Sequence, residues 1–189
     1  MSASPADVLG ALPPWAAVSE RRVAHIARVV AVLDGWAGER GVPAAEASRW
    51  LRAALLHDAL RDADTATLAA DAPPDWPRKL WHGPAAAAAA ARAGESDAGV
   101  LDAIRYHSVG YAGWDDAGRF LFLADYLEPG RKHDRALLDD LAARAAREPE
   151  AILREVAAHR IRWLAQAQHP IQRETCEFWN GLVAAGQSR

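Results

Sequence analysis

Trp50-Leu-Arg-Ala-Ala-Leu-Leu-His-Asp58 is the stretch on which the fold prediction rests, an apolar run that ends in a histidine and an aspartate. Its apolar residues recur at helical spacing, so Trp50 and His57 share one face of a predicted helix. Pro43 suits the first turn, and we predict this helix over residues 44–60. The His-Asp pair then falls in the last turn or two, where side chains about 100° apart can flank a metal ion.

A His-Asp dipeptide is too short to identify a site by itself, and a second copy, His133-Asp134, occurs later in the chain. The first copy gains weight from further ligand-type residues at the edges or inward faces of other predicted helices. These residues are His25, His82, His107 and Asp125. A helical bundle can bring such residues to one point. The second copy lies in a run of charges, where we predict Asp134 to be a helix N-cap.

The whole chain predicts an all-α fold, since no strand-period segment exceeds a few residues. Its 189 residues are predicted to form a single domain, with a core over about 15–170 and a C-terminal helix over 171–185. The other predicted helices cover residues 4–11, Ser19 to Gly38–Gly41, 44–60, 85–91, 97–107, 115–127, 135–147 and 149–168.

Composition excludes several classes of partner. The net charge of −3 gives no electrostatic case for binding a nucleic acid polymer. No apolar run approaches the roughly 18 residues that span a bilayer, and the first residues lack a signal-peptide pattern, so we expect a cytoplasmic protein without a membrane partner. The single Cys176 excludes an intramolecular disulfide, and its place on an apolar helical face predicts a buried thiol.

The candidate ligands suffice for two metal ions. His25, the His57-Asp58 pair and Asp125 are four ligands for one ion, with water completing the shell. His82 and His107 would hold a second ion if Asp58 bridges the two. Nitrogen and carboxylate ligands without sulfur favour iron, manganese, nickel or zinc over a structural zinc.

This order of ligands resembles the HD superfamily of metal-dependent phosphohydrolases. Three further segments resemble its YqeK-like branch, the bacterial hydrolases that cut diadenosine tetraphosphate symmetrically into two ADP. They are Trp-His-Gly-Pro at 81–84, Ala-Ile-Arg-Tyr-His at 103–107 and Ala-Asp-Tyr-Leu-Glu-Pro-Gly-Arg at 124–131. The resemblance covers about residues 15–170, and the last segment is its most specific part.

The resemblance implies an HD-domain helical bundle that carries two divalent metal ions and uses metal-activated water to attack phosphorus. Iron is the first expectation, with manganese, cobalt or nickel as alternatives. The implied metal ligands are His25, His57, Asp58, His82, His107 and Asp125. The implied catalytic residues are Asp58 and Arg61, and a dinucleoside polyphosphate is the implied substrate.

Substrate contacts are expected from Arg61, Gly83, Ser108 and Arg131. A planar guanidinium fits phosphate bidentately, although Arg61 would also suit a solvated helix end. The chain departs from the branch where Ser108-Val109-Gly110 replaces two threonines and a glycine, and where Arg61 replaces a lysine. Substrate preference is more affected by these departures than metal binding is.

Two other readings stay open from the sequence. The chain could be another HD enzyme, such as a nucleotidase, a phosphodiesterase or an alarmone hydrolase. It could also be a sensor domain that retains metal without turnover, although six complete ligands argue against this. The native metal, the physiological dinucleotide and a homodimer are left open as well.

Overall fold

The computed structural model of the protein describes residues 4–130 and 134–187. Within those ranges the chain is α-helical and has no strand, which confirms the all-α prediction. A short 3-10 helix lies at Arg78–Leu80. The α-helices are α1 (Pro5–Ala11), α2 (Glu20–Arg40), α3 (Ala44–Leu56), α4 (Thr65–Ala69), α5 (His82–Arg92), α6 (Ala98–Tyr106), α7 (Asp116–Leu127), α8 (Arg135–Ala145), α9 (Pro149–Gln166) and α10 (Arg173–Gln187). No described helix is long and apolar enough to cross a bilayer.

The core is organised around the contact between α3 and α7. The rings of Trp50 and Phe120 stack with their centroids 4.3 Å apart, and each residue is 1% exposed. Trp36 of α2 meets the edge of Phe120, and the guanidinium of Arg40 lies over the same ring. Stacked aromatic rings contribute beyond the area they bury, so this contact fixes α3 against α7. The end of α3 is thereby positioned inside the bundle.

Helix α3 ends at Leu56, four residues before the predicted end at Leu60. The backbone N–H of His57 still donates to the Ala53 carbonyl, but Ala59 and Arg61 donate to carbonyls only three residues back. Such i→i+3 bonds tighten the chain beyond a helix end. His57 and Asp58 therefore lie in a turn that follows the helix, and both are buried.

The alanine-rich helix α5 packs very closely on α6, as its small side chains predict. A Cβ atom on Gly83 would lie 2.6 Å from the backbone oxygen of Arg105 and 3.1 Å from that of Ile104. Only a residue without a side chain allows this approach. Gly83 is therefore buried against another helix, and the predicted substrate contact at this residue stays a prediction. The close packing of α5 on α6 brings His82 beside His107.

Two helices are capped at their N-termini by aspartate side chains, and two others lack a side-chain cap. Asp97 and Asp115 cap α6 and α7 by accepting from the N–H groups of Val100 and Ala117. Ser19 occupies the N-cap position of α2, but its hydroxyl donates to Asp62 instead, at 2.7 Å. This bond ties the turn after Asp58 to the start of α2.

Asp134 also differs from the expected side-chain cap. It precedes α8 with φ of 51°, in the left-handed region, and its carboxylate accepts no capping hydrogen bond. The carboxylate lies 3.8 Å from Nε2 of His159. Aspartate tolerates left-handed backbone better than most residues, which explains its presence there.

The thiol of Cys176 is exposed, so the prediction of a buried thiol was wrong. The buried face of α10 consists of Thr175, Phe178 and Leu182. Cys176 follows Thr175 and is turned about 100° away from that face.

Gly83→Ala is expected to lower the free energy of unfolding by about 1–3 kcal/mol, because the added methyl group overpacks the contact with α6. Gly35→Ala is the matched control within α2, where an added Cβ meets no atom within 4 Å. That change should stabilise the protein by about 0.5–1 kcal/mol through helix propensity. Urea unfolding of both variants measures the difference, and effects of equal sign would contradict the packing role.

Candidate metal centre

The carboxylate of Asp58 lies at the centre of a buried cluster of four histidines. Its Oδ2 is 3.5 Å from Nε2 of His25 and 3.5 Å from Nε2 of His57. Its Oδ1 is 3.2 Å from Nε2 of His82 and 3.6 Å from Nε2 of His107. Each oxygen therefore faces its own pair of imidazole nitrogens, as a bridging carboxylate would.

The cluster contains two groups of donor atoms that could each hold a metal ion. His25, His57 and Asp125 form one group, and His57, Asp58 and His107 form the other, with the donor atoms of each within 4.8 Å of one another. Nε2 of His82 lies 3.1 Å from Nε2 of His107, so His82 extends the second group. The chemistry of this donor set suits a transition-metal ion.

Five separate segments supply the cluster. His25 comes from α2, the His57-Asp58 pair from the turn after α3, and Asp125 from α7. His82 begins α5 and His107 follows the last residue of α6. All six predicted metal ligands are thus brought together, although the pairs lie up to 100 residues apart in sequence. The carboxylate of Asp125 has a partner in His25, whose Nε2 lies 3.2 Å from Oδ1.

Hydrogen bonds at the far side of three rings orient them. Nδ1 of His57 lies 2.7 Å from the Ala54 carbonyl, and Nδ1 of His107 lies 2.8 Å from the Ile104 carbonyl. A carbonyl can only accept, so both rings carry a proton on Nδ1. Their Nε2 atoms then present a lone pair to the centre, which is the arrangement that metal-ligating histidines adopt.

The burial of the cluster shifts its protonation equilibria. Burial lowers the pKa of His57 and of His82 to about 4, so both rings are neutral at pH 7. Burial alone would raise the pKa of Asp58, but the surrounding histidines outweigh it and hold that pKa well below its usual range. Neutral imidazoles and an ionised carboxylate are the protonation states that bind metal.

His25 differs from the other rings in its partners. Burial alone would lower its pKa, but hydrogen bonds to Asp125 and Glu128 outweigh this and raise the pKa to about 9. Glu128 is 4% exposed and accepts from Arg28 at 2.5 Å and from the Gly130 N–H at 2.7 Å. Burial opposes the ionised form of Glu128, but these bonds and the one to His25 lower its pKa to about 2.

Glu128 and Arg22 belong to the site and were missed in the sequence. Oε1 of Glu128 lies 3.4 Å from Nδ1 of His25, so a carboxylate orients this ring as carbonyls orient the rings of His57 and His107. Arg22, half-buried, donates to Oδ2 of Asp58 at 2.5 Å. Glu128 lies in the most specific segment of the resemblance, and Arg22 lies one helical turn before His25. Those positions were the only available signals.

The structure places two of the predicted substrate-contact residues, Arg61 and Ser108, beside the cluster. Nη1 of Arg61 lies 3.1 Å from Nδ1 of His82, so this cation adjoins the cluster. The hydroxyl of Ser108 lies 3.0 Å from Nε2 of His107, and its carbonyl accepts from Arg160 at 2.7 Å. Arg131 lies outside the described residues. Whether any of these side chains contacts a substrate stays a prediction.

A comparison with protein families identifies the fold. The HD domain family model matches residues 22–130, which contain all six clustered side chains. The chain belongs to the HD domain family. A solved structure described as a predicted HD superfamily hydrolase involved in NAD metabolism, from Clostridium acetobutylicum, superposes on this HD-domain protein with a TM-score of 0.80. It is 22% identical and covers 96% of both chains, which supports the fold.

Part of the chain is also similar to a curated protein. The symmetrical bis(5'-nucleosyl)-tetraphosphatase of Bacillus subtilis (strain 168) is 31% identical to this HD-domain protein over 107 residues. The match spans 56% of each chain, so about half of the relative's length is covered. The family and the His/Asp cluster together support a metal-dependent hydrolase.

Glu128→Gln is expected to weaken divalent-ion binding by about 10–100-fold, because His25 loses the anionic partner that orients its ring. Glu150→Gln is the control, since Glu150 pairs with Arg119 away from the cluster. Calorimetric titration of chelator-treated protein with Mn²⁺ gives both affinities. Equal affinities in the two variants would argue against the orienting role.

Chelator-treated protein is expected to be most stable near pH 6.5, the value for unfolded histidine. His57 and His82 have lower pKa values when folded, so their stabilisation is lost as the pH falls from 6.5 to 4. His25 has a higher pKa when folded, so its stabilisation is lost as the pH rises from 6.5 to 9. Urea midpoints measured from pH 4 to 9 test this, and a flat profile would contradict it.

Proposed function

We propose that this HD-domain protein hydrolyses diadenosine tetraphosphate symmetrically to two ADP with two bound divalent metal ions. The observation that carries the proposal is the position of Asp58, whose two carboxylate oxygens each face a separate pair of histidine nitrogens. A single bound ion would not require the two oxygens of Asp58 to face separate pairs of histidines. The substrate class is taken from the relative in Bacillus subtilis.

One ion would be held by His25, His57, Asp58 and Asp125, and the other by Asp58, His82 and His107. Iron is the first candidate for this nitrogen and carboxylate set, with manganese, cobalt and nickel as alternatives. Two such ions supply a nucleophilic water near neutral pH and offset negative charge on phosphate oxygens.

The protein's own residues prepare the site in two ways. Carbonyls of Ala54 and Ile104 and the carboxylate of Glu128 orient three of the rings. The side chain of Asp125 is 20% exposed, against 5% for Asp58, so the cluster opens towards solvent on the Asp125 side.

The half-buried guanidinium groups of Arg22 and Arg61 adjoin the cluster and can pair with phosphate oxygens that flank the reacting phosphorus. The hydroxyl of Ser108 is a further donor beside the second ion's position. Arg131 is retained as a phosphate contact on the resemblance alone.

Symmetric hydrolysis consumes one water and forms one new P–O bond at the second phosphorus from either adenosine. The bridging oxygen leaves with the other half, so both products are ADP. Protein purified without chelator should contain about two transition-metal ions per chain and release ADP as the only nucleotide. Chromatography of the products tests this, and equimolar ATP and AMP would overturn the proposed cleavage position.

The two His-Asp dipeptides provide a matched pair of variants. Asp58→Ala removes the shared carboxylate, so it should abolish metal occupancy and nearly all turnover. Asp134→Ala should leave both intact and cost about 1 kcal/mol of stability, because alanine tolerates left-handed backbone less well than aspartate. Bound metal, turnover and melting temperature are measured on both. Full activity in Asp58→Ala, or none in folded Asp134→Ala, would show that the wrong dipeptide was chosen.

A further inference from the structure

His82 differs from the other three histidines in what its Nδ1 faces. The Nδ1 atoms of the others face an acceptor that lies outside the cluster, as described above. Nδ1 of His82 instead lies 3.1 Å from Nη1 of Arg61. A guanidinium has only donors, so Nδ1 of His82 must accept. The neutral ring therefore carries its proton on Nε2, the atom that faces the centre.

A backbone carbonyl that could accept from Nδ1 of His82 is present, but it accepts a hydrogen bond from Arg61 instead. His57 and His107 each donate Nδ1–H to the carbonyl three residues earlier, Ala54 and Ile104. For His82 the corresponding carbonyl is that of Lys79, and it accepts from Nη1 of Arg61 at 2.9 Å. The guanidinium thus interrupts a hydrogen bond that two equivalent histidines make.

The neighbours of His82 Nε2, the atom that faces the centre of the cluster, are consistent with a proton on that nitrogen. Its Nε2 lies 3.2 Å from Oδ1 of Asp58 and 3.1 Å from Nε2 of His107. Both atoms are acceptors, since the proton of His107 is on Nδ1. A chain of donors therefore runs from Arg61 through His82 to Asp58, and the lone pair that an ion would need on His82 is covered by a proton.

We propose that Arg61 blocks the second ion position through its hydrogen bond to His82, and that it must leave His82 before an ion binds there. We call this hydrogen bond the latch. After Arg61 leaves, the Lys79 carbonyl can accept Nδ1–H of His82, the ring proton moves from Nε2 to Nδ1 through solvent, and Nε2 is free to ligate. The inference rests on the proposed two-ion function. It implies that filling the second position frees a guanidinium for a phosphate oxygen.

Arg61→Met tests the latch, because methionine keeps an unbranched side chain without polar hydrogens. In chelator-treated wild-type protein, nitrogen-15 spectra of the imidazole rings should show His82 protonated on Nε2, and in Arg61→Met on Nδ1. The His82 signals are identified by their loss in His82→Gln. A wild-type His82 ring already protonated on Nδ1 overturns the inference without affecting the two-ion function.

Titration with Mn²⁺ supplies a second measurement. Wild-type protein should bind two ions, and Arg61→Met should bind the ion at the His82 position at least about 10-fold more tightly, with the affinity of the other position unchanged. Turnover of the variant should nonetheless fall, because the phosphate contact is lost. Arg92→Met is the control, since Arg92 pairs with Asp71 at the surface and should behave as wild type.

The outcomes separate the two proposals. Two bound ions with an unchanged or weaker second affinity in Arg61→Met overturn the latch and leave the two-ion site standing. Fewer than two ions in both proteins at saturating Mn²⁺ overturn the latch together with the two-ion proposal. Melting temperatures of all variants establish that each is folded.

Discussion

A carboxylate buried as deeply as that of Asp58, which is 3% exposed, costs several kcal/mol unless other groups replace its lost hydration. Four imidazole rings and the guanidinium of Arg22 surround it. These groups come from α2, from the turn after α3, and from the facing ends of α5 and α6. The same helices pack through apolar contacts, and their placement also satisfies Asp58. The carboxylate therefore adds a directional constraint to a packing that apolar burial alone would define less sharply.

Local sequence patterns were enough to predict every described α-helix except α4, and to place the six clustered residues at the edges or inward faces of helices. The stripe that contains Trp50 and His57 identifies a face without knowledge of the helix it meets. The end of α3 was mistaken by four residues, since the tightened turn after Leu56 is held by the segment that precedes α2, where the Ala17 N–H donates to the Ala59 carbonyl. The bond from Ser19 to Asp62 is a second tie between these two segments.

Residues that act only through contacts with distant parts of the chain could not be found from local sequence patterns. Glu128 meets His25 across 103 residues, and in sequence it is one acidic residue near a helix end. The sequence predicts a substrate contact at Gly83 because the residue stands in a distinctive segment, and the structure adds that this residue packs against the carbonyls of α6. A motif records that a residue matters, and the physical reason needs the neighbour it meets in space.

The groups that satisfy the cluster within the protein are the ones that incoming ions would replace. Arg22 donates to Oδ2 of Asp58, and a protonated His25 donates to Asp125. Each places positive charge or a polar hydrogen on a lone pair directed at the centre. A divalent ion brings charge of the same sign to the same lone pairs, so binding exchanges protons and guanidinium contacts for metal. Because that exchange involves side chains alone, the packing of α3 on α7 can stay unchanged while the centre is loaded.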